Sequence, residues 1–283
     1  MKIPIVFFNF GNHNFLDIAL KQAKHHNPES DIYLIGDDTN YKDYVKFIHY
    51  NELLSTDIPE FDKNFVNLST NNKKYEFICF LRWYLIRNLI KRDNITRLFV
   101  TDSDVMYYCD ITKEANNFNN YRYTLTHNIS AGIGFINDIS CITAFCNLST
   151  AMYTNNTTTT LHIDGGKYSN LKYYYDKHSN IYETRKRNNL AGGVCDMSLW
   201  GELRNMGNPG LVGETSAIIN DSTFDHNINA VDAYKHENGI KKFTWKDKIP
   251  YCYNTWLERD IKFNCIHFQG GHRKELMKEF STY

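Results

Sequence analysis

The triplet Asp102-Ser103-Asp104 follows an apolar run, Leu98-Phe99-Val100, and precedes Val105-Met106-Tyr107-Tyr108. Two carboxylates one residue apart repel each other unless a cation joins them. A hard divalent ion takes oxygen ligands, and Mg²⁺ completes its shell with water and substrate phosphates. The chemistry suggested by this spacing is a metal–diphosphate site. Alone, the triplet proves nothing, because a chain this rich in Asp contains about one by chance. Its placement gives it weight. Residues 97–105 read as a short buried strand, and a strand sends alternate side chains to the same face. Asp102 and Asp104 would then point the same way where the strand leaves the sheet.

The elements that must position this pair follow from periodicity. Ile3 to Asn9 is a continuous apolar run ended by Gly11-Asn12-His13-Asn14, which predicts a buried strand. Leu16, Ala19, Leu20 and Ala23 lie at helical spacing and predict a helix over 15–26. Asp31 to Gly36 is a second strand. Strand, helix, strand implies a parallel sheet. Ligands of such sheets bind at the carboxyl ends of the strands, which puts the loop after Phe8, and Asp37-Asp38, on the same edge as Asp102. A long helix is predicted over 75–91. Its apolar face holds Phe77, Phe80, Leu81, Tyr84, Leu85 and Leu89, and Arg82 lies off it. The planar fork of an Arg binds phosphate oxygens, although an isolated Arg is more often a surface ion-pair partner.

Further strands are predicted at 124–128, 241–245 and 261–268, and a helix over 138–153. In Ser130-Ala131-Gly132-Ile133-Gly134-Phe135-Ile136-Asn137, the glycines permit close approach of a ligand or a neighbouring strand. Asp196 follows a tight turn, Ala191-Gly192-Gly193, and opens a helix. There it is either a capping carboxylate or a group that orients or deprotonates an acceptor. Residues 154–189 are rich in Thr, Asn, Tyr and Lys, with Gly165-Gly166 inside and little apolar period. They read as an irregular insertion or a surface elaboration.

The composition narrows the class. At 283 residues, 42% hydrophobic and 15% aromatic, the chain suits one large domain with a sizeable core. Zero formal net charge argues against a nucleic-acid binder. Arg185-Lys186-Arg187, the densest basic run, reads as a solvated loop. No apolar stretch is long enough to predict a transmembrane helix, and the N-terminus reads as a first strand, not a signal peptide. The seven cysteines are scattered and show no zinc spacing, which suggests a reducing compartment. The expected localisation is cytoplasmic. The abundance of Asn, Lys, Ile and Tyr hints at an AT-rich genome, so for a viral source the compartment would be the host cytoplasm.

Several pieces together resemble a known family. An apolar strand followed by Asp-Ser-Asp resembles the DXD motif of nucleotide-sugar glycosyltransferases with the GT-A fold. His267-x-x-Gly270-x-x-Arg273 resembles the C-terminal His-x-x-Gly-x-x-Lys of glycosyltransferase family eight. Its chance expectation in this composition is about 0.07, so it adds more than the DXD does. Ser130-Ala131-Gly132-Ile133 with Asn137 is similar to that family's Asn-Ala-Gly-Val…Asn segment. Cys195-Asp196-Met197 stands where its acceptor segment would be, and Arg82-Trp83-Tyr84-Leu85 where its Arg-bearing helix would be. The order agrees over roughly residues 3–274. The departures are Ser130 for Asn, Arg273 for Lys with no Pro-Trp after it, and a single acid in the Asp196 segment.

The resemblance implies an α/β fold: a single GT-A, Rossmann-like domain over 1–283, with a mostly parallel central sheet flanked by helices. Residues 1–123 would bind the nucleotide sugar. Residues 124–283, with an irregular insertion at 154–190, would bind the acceptor. Asp102, Asp104 and His267 would hold Mn²⁺ or Mg²⁺, and a His ligand favours Mn²⁺. Asp102 and Ser103 would also reach the donor. Phe8, Asn9 and Phe10 would cradle the nucleobase, while Arg82, Gly270, Arg273 and Lys274 would face the diphosphate. Asp196 would be the catalytic group. With family eight, configuration is retained and Asp196 positions acceptor or sugar; as a true general base it implies inversion. His226, in Asp225-His226-Asn227, offers a rival metal or acceptor role. The implied activity moves a sugar, UDP-linked by preference, to a hydroxyl acceptor such as a glycan. Two other classes stay open. A nucleotidyltransferase making nucleotide sugars would need a basic phosphate loop, and Asn9-Phe10-Gly11-Asn12-His13 has no Lys or Arg. A non-catalytic carbohydrate-binding relative would not need Asp102, Asp104 and His267 together.

Overall fold

The computed structural model describes residues 2–37, 40–41, 44–154, 160–163, 166–169 and 171–283. Asp38 and Gly165 therefore lie outside the described residues. The first part of the chain alternates strand and helix: β1 (Ile5–Asn9), α1 (Asn14–His26), β2 (Ile32–Gly36), β3 (Lys46–His49), α2 (Asp57–Asn64), α3 (Lys73–Asp93) and β4 (Leu98–Thr101). Then come β5 (Val105–Tyr107), the one-turn α4 (Ile111–Glu114), β6 (Tyr123–Leu125), β7 (Ile133–Ile136) and α5 (Ser140–Tyr153). A small hairpin, β8 (Leu161–Ile163) with β9 (Gly166–Tyr168), leads to α6 (Lys172–Arg187) and α7 (Asp196–Met206). The rest is largely strand: β10 (Val212–Glu214), β11 (Ser222–Phe224), β12 (His236–Glu237), β13 (Ile240–Lys241), β14 (Phe243–Lys246), β15 (Ile249–Asn254) and β16 (Arg259–His267).

The central sheet runs β10-β6-β7-β4-β1-β2-β3 among the described residues. It is the mostly parallel α/β sheet expected from the sequence. β1 pairs in parallel with β2 and β4, β2 with β3, and β6 with β10; only β7 runs against its neighbours β4 and β6. Side chains of β1 and β4 alternate between two cores, as the two-residue period requires. Val6, Leu98 and Val100 pack with α3, α5 and α7 on one face. Ile5, Phe7 and Phe99 pack with α1 and a second sheet on the other. That second sheet runs β11-β16-β15-β14, and β5 joins it by pairing with β16. Long helix α3 has clear ends. The Asn72 side chain accepts from Lys74 N at 2.8 Å, and Asn94 closes the helix in the left-handed conformation, a role Asn fills readily.

The structure differs from the sequence reading in five places. The strand predicted at 124–128 stops at Leu125, and His127 and Asn128 turn with φ 51° and 61°. The predicted strand over 97–105 is two strands: β4 ends at Thr101, and β5 begins at Val105 in the other sheet. The Asp triplet is the turn between them. About half of 154–189 is α6, a sixteen-residue helix with one buried side chain, His178. Its exposure explains why no apolar period marks it. Arg185-Lys186-Arg187 is the last turn of that helix, not a loop, where cations suit the helix dipole. The strand predicted at 241–245 is also divided, between β13 and β14.

Candidate metal centre

The two acids converge because the chain changes sheets between them. β4 leaves the central sheet at Thr101, and Asp102 N donates to Gly132 O at 2.7 Å. Two residues later β5 pairs antiparallel with β16, setting Val105 opposite His267. Phe268 N donates to Asp104 O at 2.9 Å and locks the register. A residue near the end of the last strand therefore meets one 163 positions earlier. Gly132 leaves room for this turn. A Cβ built there would sit 2.3 Å from Asp102 Oδ2, so any larger residue must displace the carboxylate.

His267 Nε2 lies 3.2 Å from Asp104 Oδ1 and 4.0 Å from Asp102 Oδ2. One donor atom from each of Asp102, Asp104 and His267 falls within 4.8 Å of the others. That span is close to twice a metal–ligand bond of roughly 2.1–2.3 Å. His267 Nδ1 lies 2.7 Å from His226 O. It donates there, which turns the Nε2 lone pair of a neutral ring toward the carboxylates, the usual arrangement behind a metal-binding histidine. Asp225 Oδ2 accepts from His267 N at 3.1 Å. The Lys241 ammonium fixes Asp225 in turn, 3.0 Å from Asp225 Oδ1 and 3.0 Å from Asp232 Oδ2, and donates to Asn227 O at 2.7 Å.

The electrostatics fit a cation site. Burial opposes charge on His267, yet Asp104 outweighs it and raises the imidazole to about 9. Burial likewise opposes charge on Asp104, but His267 and then Lys274 hold its carboxyl well below the ordinary carboxylate range. Asp102 moves the other way: burial raises it more than Arg82 and His267 lower it. Without a metal ion, a proton on His267 serves as counter-charge. Two carboxylates with one imidazole nitrogen form a mixed oxygen–nitrogen donor set, which suits Mn²⁺ better than Mg²⁺.

Arg82 ties this corner to a second acid. Its Nη1 is 2.5 Å from Asp102 Oδ1, while its Nη2 and Nε are 2.5 and 3.1 Å from Asp196 Oδ2. Burial disfavours the guanidinium charge, but Asp196 and Asp102 more than restore it. Asp196 Oδ2 also accepts from Trp83 Nε1 at 2.9 Å, and Asp196 Oδ1 from Met197 N at 2.9 Å. Asp196 does open α7, as expected. Its carboxylate is occupied by Arg82, Trp83 and the backbone.

The remaining candidates fall around this edge. β1 pairs Phe7 with Thr101, the last residue of β4, and continues to Asn9 against β2, so Phe8, Asn9 and then Phe10 run on past the strand end from which the Asp turn that holds Ser103 departs. Phe8 and Phe10 rings are 5.2 Å apart, and Phe10 and Tyr50 rings 5.0 Å. Tyr50 was not foreseen; as the first residue of a short helical turn it carries no sequence signal. Asn9 Nδ2 donates to Gly11 O at 2.7 Å, and Gly11 N to Asp37 Oδ1 at 2.7 Å. At the C-terminal motif, Gly270 has φ 100°, and a Cβ there would meet Arg273 Nη1 at 2.7 Å. Arg273 Nη1 donates to Gln269 O at 2.9 Å. The cation beside the metal corner is the next residue, Lys274, 3.1 Å from Asp104 Oδ2 and 4.6 Å above the Phe15 ring. Asp225, Lys241 and Asp232 were missed as a group. His226 also supports the corner through its backbone: its carbonyl orients His267.

No known family model matches the chain, and no curated protein matches it as a relative. Among solved structures the chain is similar to glycosyltransferases. With mouse xyloside xylosyltransferase 1 in its apo form it shares 10% identity over 78% of this chain and 88% of that one, at a TM-score of 0.46. An active-site mutant of LgtC gives 12% identity over 98% and 95%, at a TM-score of 0.41. The glycosyltransferase GlyE of Streptococcus pneumoniae gives 15% identity over 72% of this chain and 43% of that one, at a TM-score of 0.32. Among the described residues, no helix is long and apolar enough to cross a membrane.

Proposed function

We propose that this protein is a metal-dependent glycosyltransferase that moves a sugar from a nucleotide-diphosphate donor, UDP-linked by preference, to a hydroxyl acceptor. The observation that carries the reading is the Asp102–Asp104–His267 cluster at the strand ends, with Lys274 beside it. Asp102, Asp104 and His267 would hold Mn²⁺, or Mg²⁺ in its place. When bound, the ion would stabilise the charge on the departing diphosphate. The Lys274 ammonium lies where it can take up part of the same charge; Arg273 precedes it in the same short helix, which Gly270 caps. Arg82 holds Asp102 in place, and Asp196 holds Arg82. Asp196 is thus a positioning group in this reading, which agrees with retention better than with base-catalysed inversion. Phe8 and Phe10 offer ring faces to a nucleobase and Asn9 and Ser103 flank the donor. Residues 1–123 supply the donor half of a single 1–283 domain, and residues 124–283 the acceptor half.

The test is to incubate the protein with a panel of nucleotide sugars, with and without Mn²⁺, and follow nucleotide release. Metal-dependent release that disappears in Asp104→Ala is the expected result. Release indifferent to metal, or unchanged in that variant, removes the assignment. Pyrophosphate formed from a sugar 1-phosphate and a nucleoside triphosphate would point to a nucleotidyltransferase instead.

A further inference from the structure

A cleft of about 290 Å³ lies directly behind the wall that holds His267. Asp225 and His226 form that wall. Toward the metal corner they give a carboxylate to His267 N and a carbonyl to His267 Nδ1. His226 lines the cleft itself, as do His127, Asp232, Tyr234 and Trp256. The His127 and His226 rings stack at 4.0 Å with 18° between their planes. Trp256 is 84% exposed, a large ring left in water at the cleft's rim. Its loop is well fixed. Asn254 Oδ1 accepts from Trp256 N at 3.0 Å and from Leu257 N at 2.9 Å, and Thr255 N donates to Ala233 O at 2.7 Å.

The charge balance selects the ligand. Asp225 and Asp232 bring two negative charges to the cleft, and Lys241 pairs with both. The surplus is anionic, which repels a diphosphate. An exposed indole carried on a hydrogen-bonded loop, beside imidazoles and a carboxylate, suits a ligand with an apolar face and a rim of hydroxyls. We infer that this cleft is a carbohydrate subsite, in which a neutral sugar ring lies on Trp256 and hydrogen-bonds toward Asp232 and the His127–His226 pair. The inference rests on the sugar-transfer reading and extends it: the acceptor is a neutral saccharide held against Asp225 and His226, the two residues that also support His267.

Saturation-transfer NMR with lactose, cellobiose and chitobiose tests this on the full chain. Wild-type protein is expected to transfer saturation to at least one of them. Trp256→Ala should weaken that signal by roughly tenfold or more. Tyr173→Ala, an exposed ring on α6, should leave it intact. Melting temperatures matching wild type establish that both variants fold. No transfer to any of the three sugars, or equal transfer in Trp256→Ala, overturns the subsite. Mn²⁺-dependent nucleotide release is followed in the same wild-type samples. Sugar binding without such release strikes the transferase reading and leaves the subsite. Release without sugar binding does the reverse.

Discussion

Two groups in this molecule share one formula: two acids and one nitrogen base, all largely buried. Asp102, Asp104 and His267 form one. Asp225, Asp232 and Lys241 form the other. They differ in the base. Lys241 has no exposed side-chain surface, and its two acid partners raise its affinity for the proton against the pull of burial. That cation stays between its two acids, so the group serves as a brace. His267 can give up its proton, and Lys274 approaches from a partly exposed position. The counter-charge of the first group can therefore be exchanged for a metal ion. The same donor types become a site or a support according to whether the cation can leave.

The contrast can be broken at either end. The largest effect is expected from Asp104→Ala, which removes one of the proposed metal ligands. Metal-dependent nucleotide release should fall by on the order of 10³-fold, with a melting temperature close to wild type in EDTA. Next comes Lys241→Met, which strands two carboxylates. Breaking such a buried pair costs about 3–5 kcal/mol. Calorimetry should find the melting point roughly 10 °C lower. If both variants lose activity with stability intact, the brace is functional and the distinction fails.

Gly132→Ala should have a smaller effect. Its new methyl group pushes on Asp102 Oδ2, so Mn²⁺ affinity by titration should weaken by about 10–100-fold while the fold persists. The smallest effect is a pH dependence of the metal-free protein. His267 holds its proton more tightly when folded, near 9, than its ordinary value of 6.5. The stability this provides is fully present below pH 6.5 and is lost as pH rises through 9. In EDTA, wild type should lose a few degrees of melting temperature across that window. His267→Gln should lack this decline; an equal decline in both would detach it from the imidazole.

Much of this was legible in one sequence, for reasons that differ by element. The first strand, first helix, long third helix and last strand carry strong apolar periods, so burial announces them. Asp102, Asp104, His267 and Arg82 were readable as motif members. Their geometry was not. A strand-end model explains why the acids share a direction, but the chain uses a turn between two sheets. The C-terminal motif drew attention to Arg273, yet a left-handed Gly270 turns that side chain onto Gln269 O and brings Lys274 to Asp104. Lys241 gave no signal at all. Its two acids lie 9 and 16 positions away in a region of short strands, and only tertiary folding joins them. Helix α6 was hidden because it buries almost nothing.

The central claim is that Asp102, Asp104 and His267 hold one divalent ion. Electron paramagnetic resonance of Mn²⁺ titrated into the protein in the presence of UDP tests it most directly. One tightly bound ion per chain is expected in wild type, with none in Asp104→Ala or His267→Gln. Wild-type protein that binds no Mn²⁺, or variants that bind it equally well, would contradict the claim.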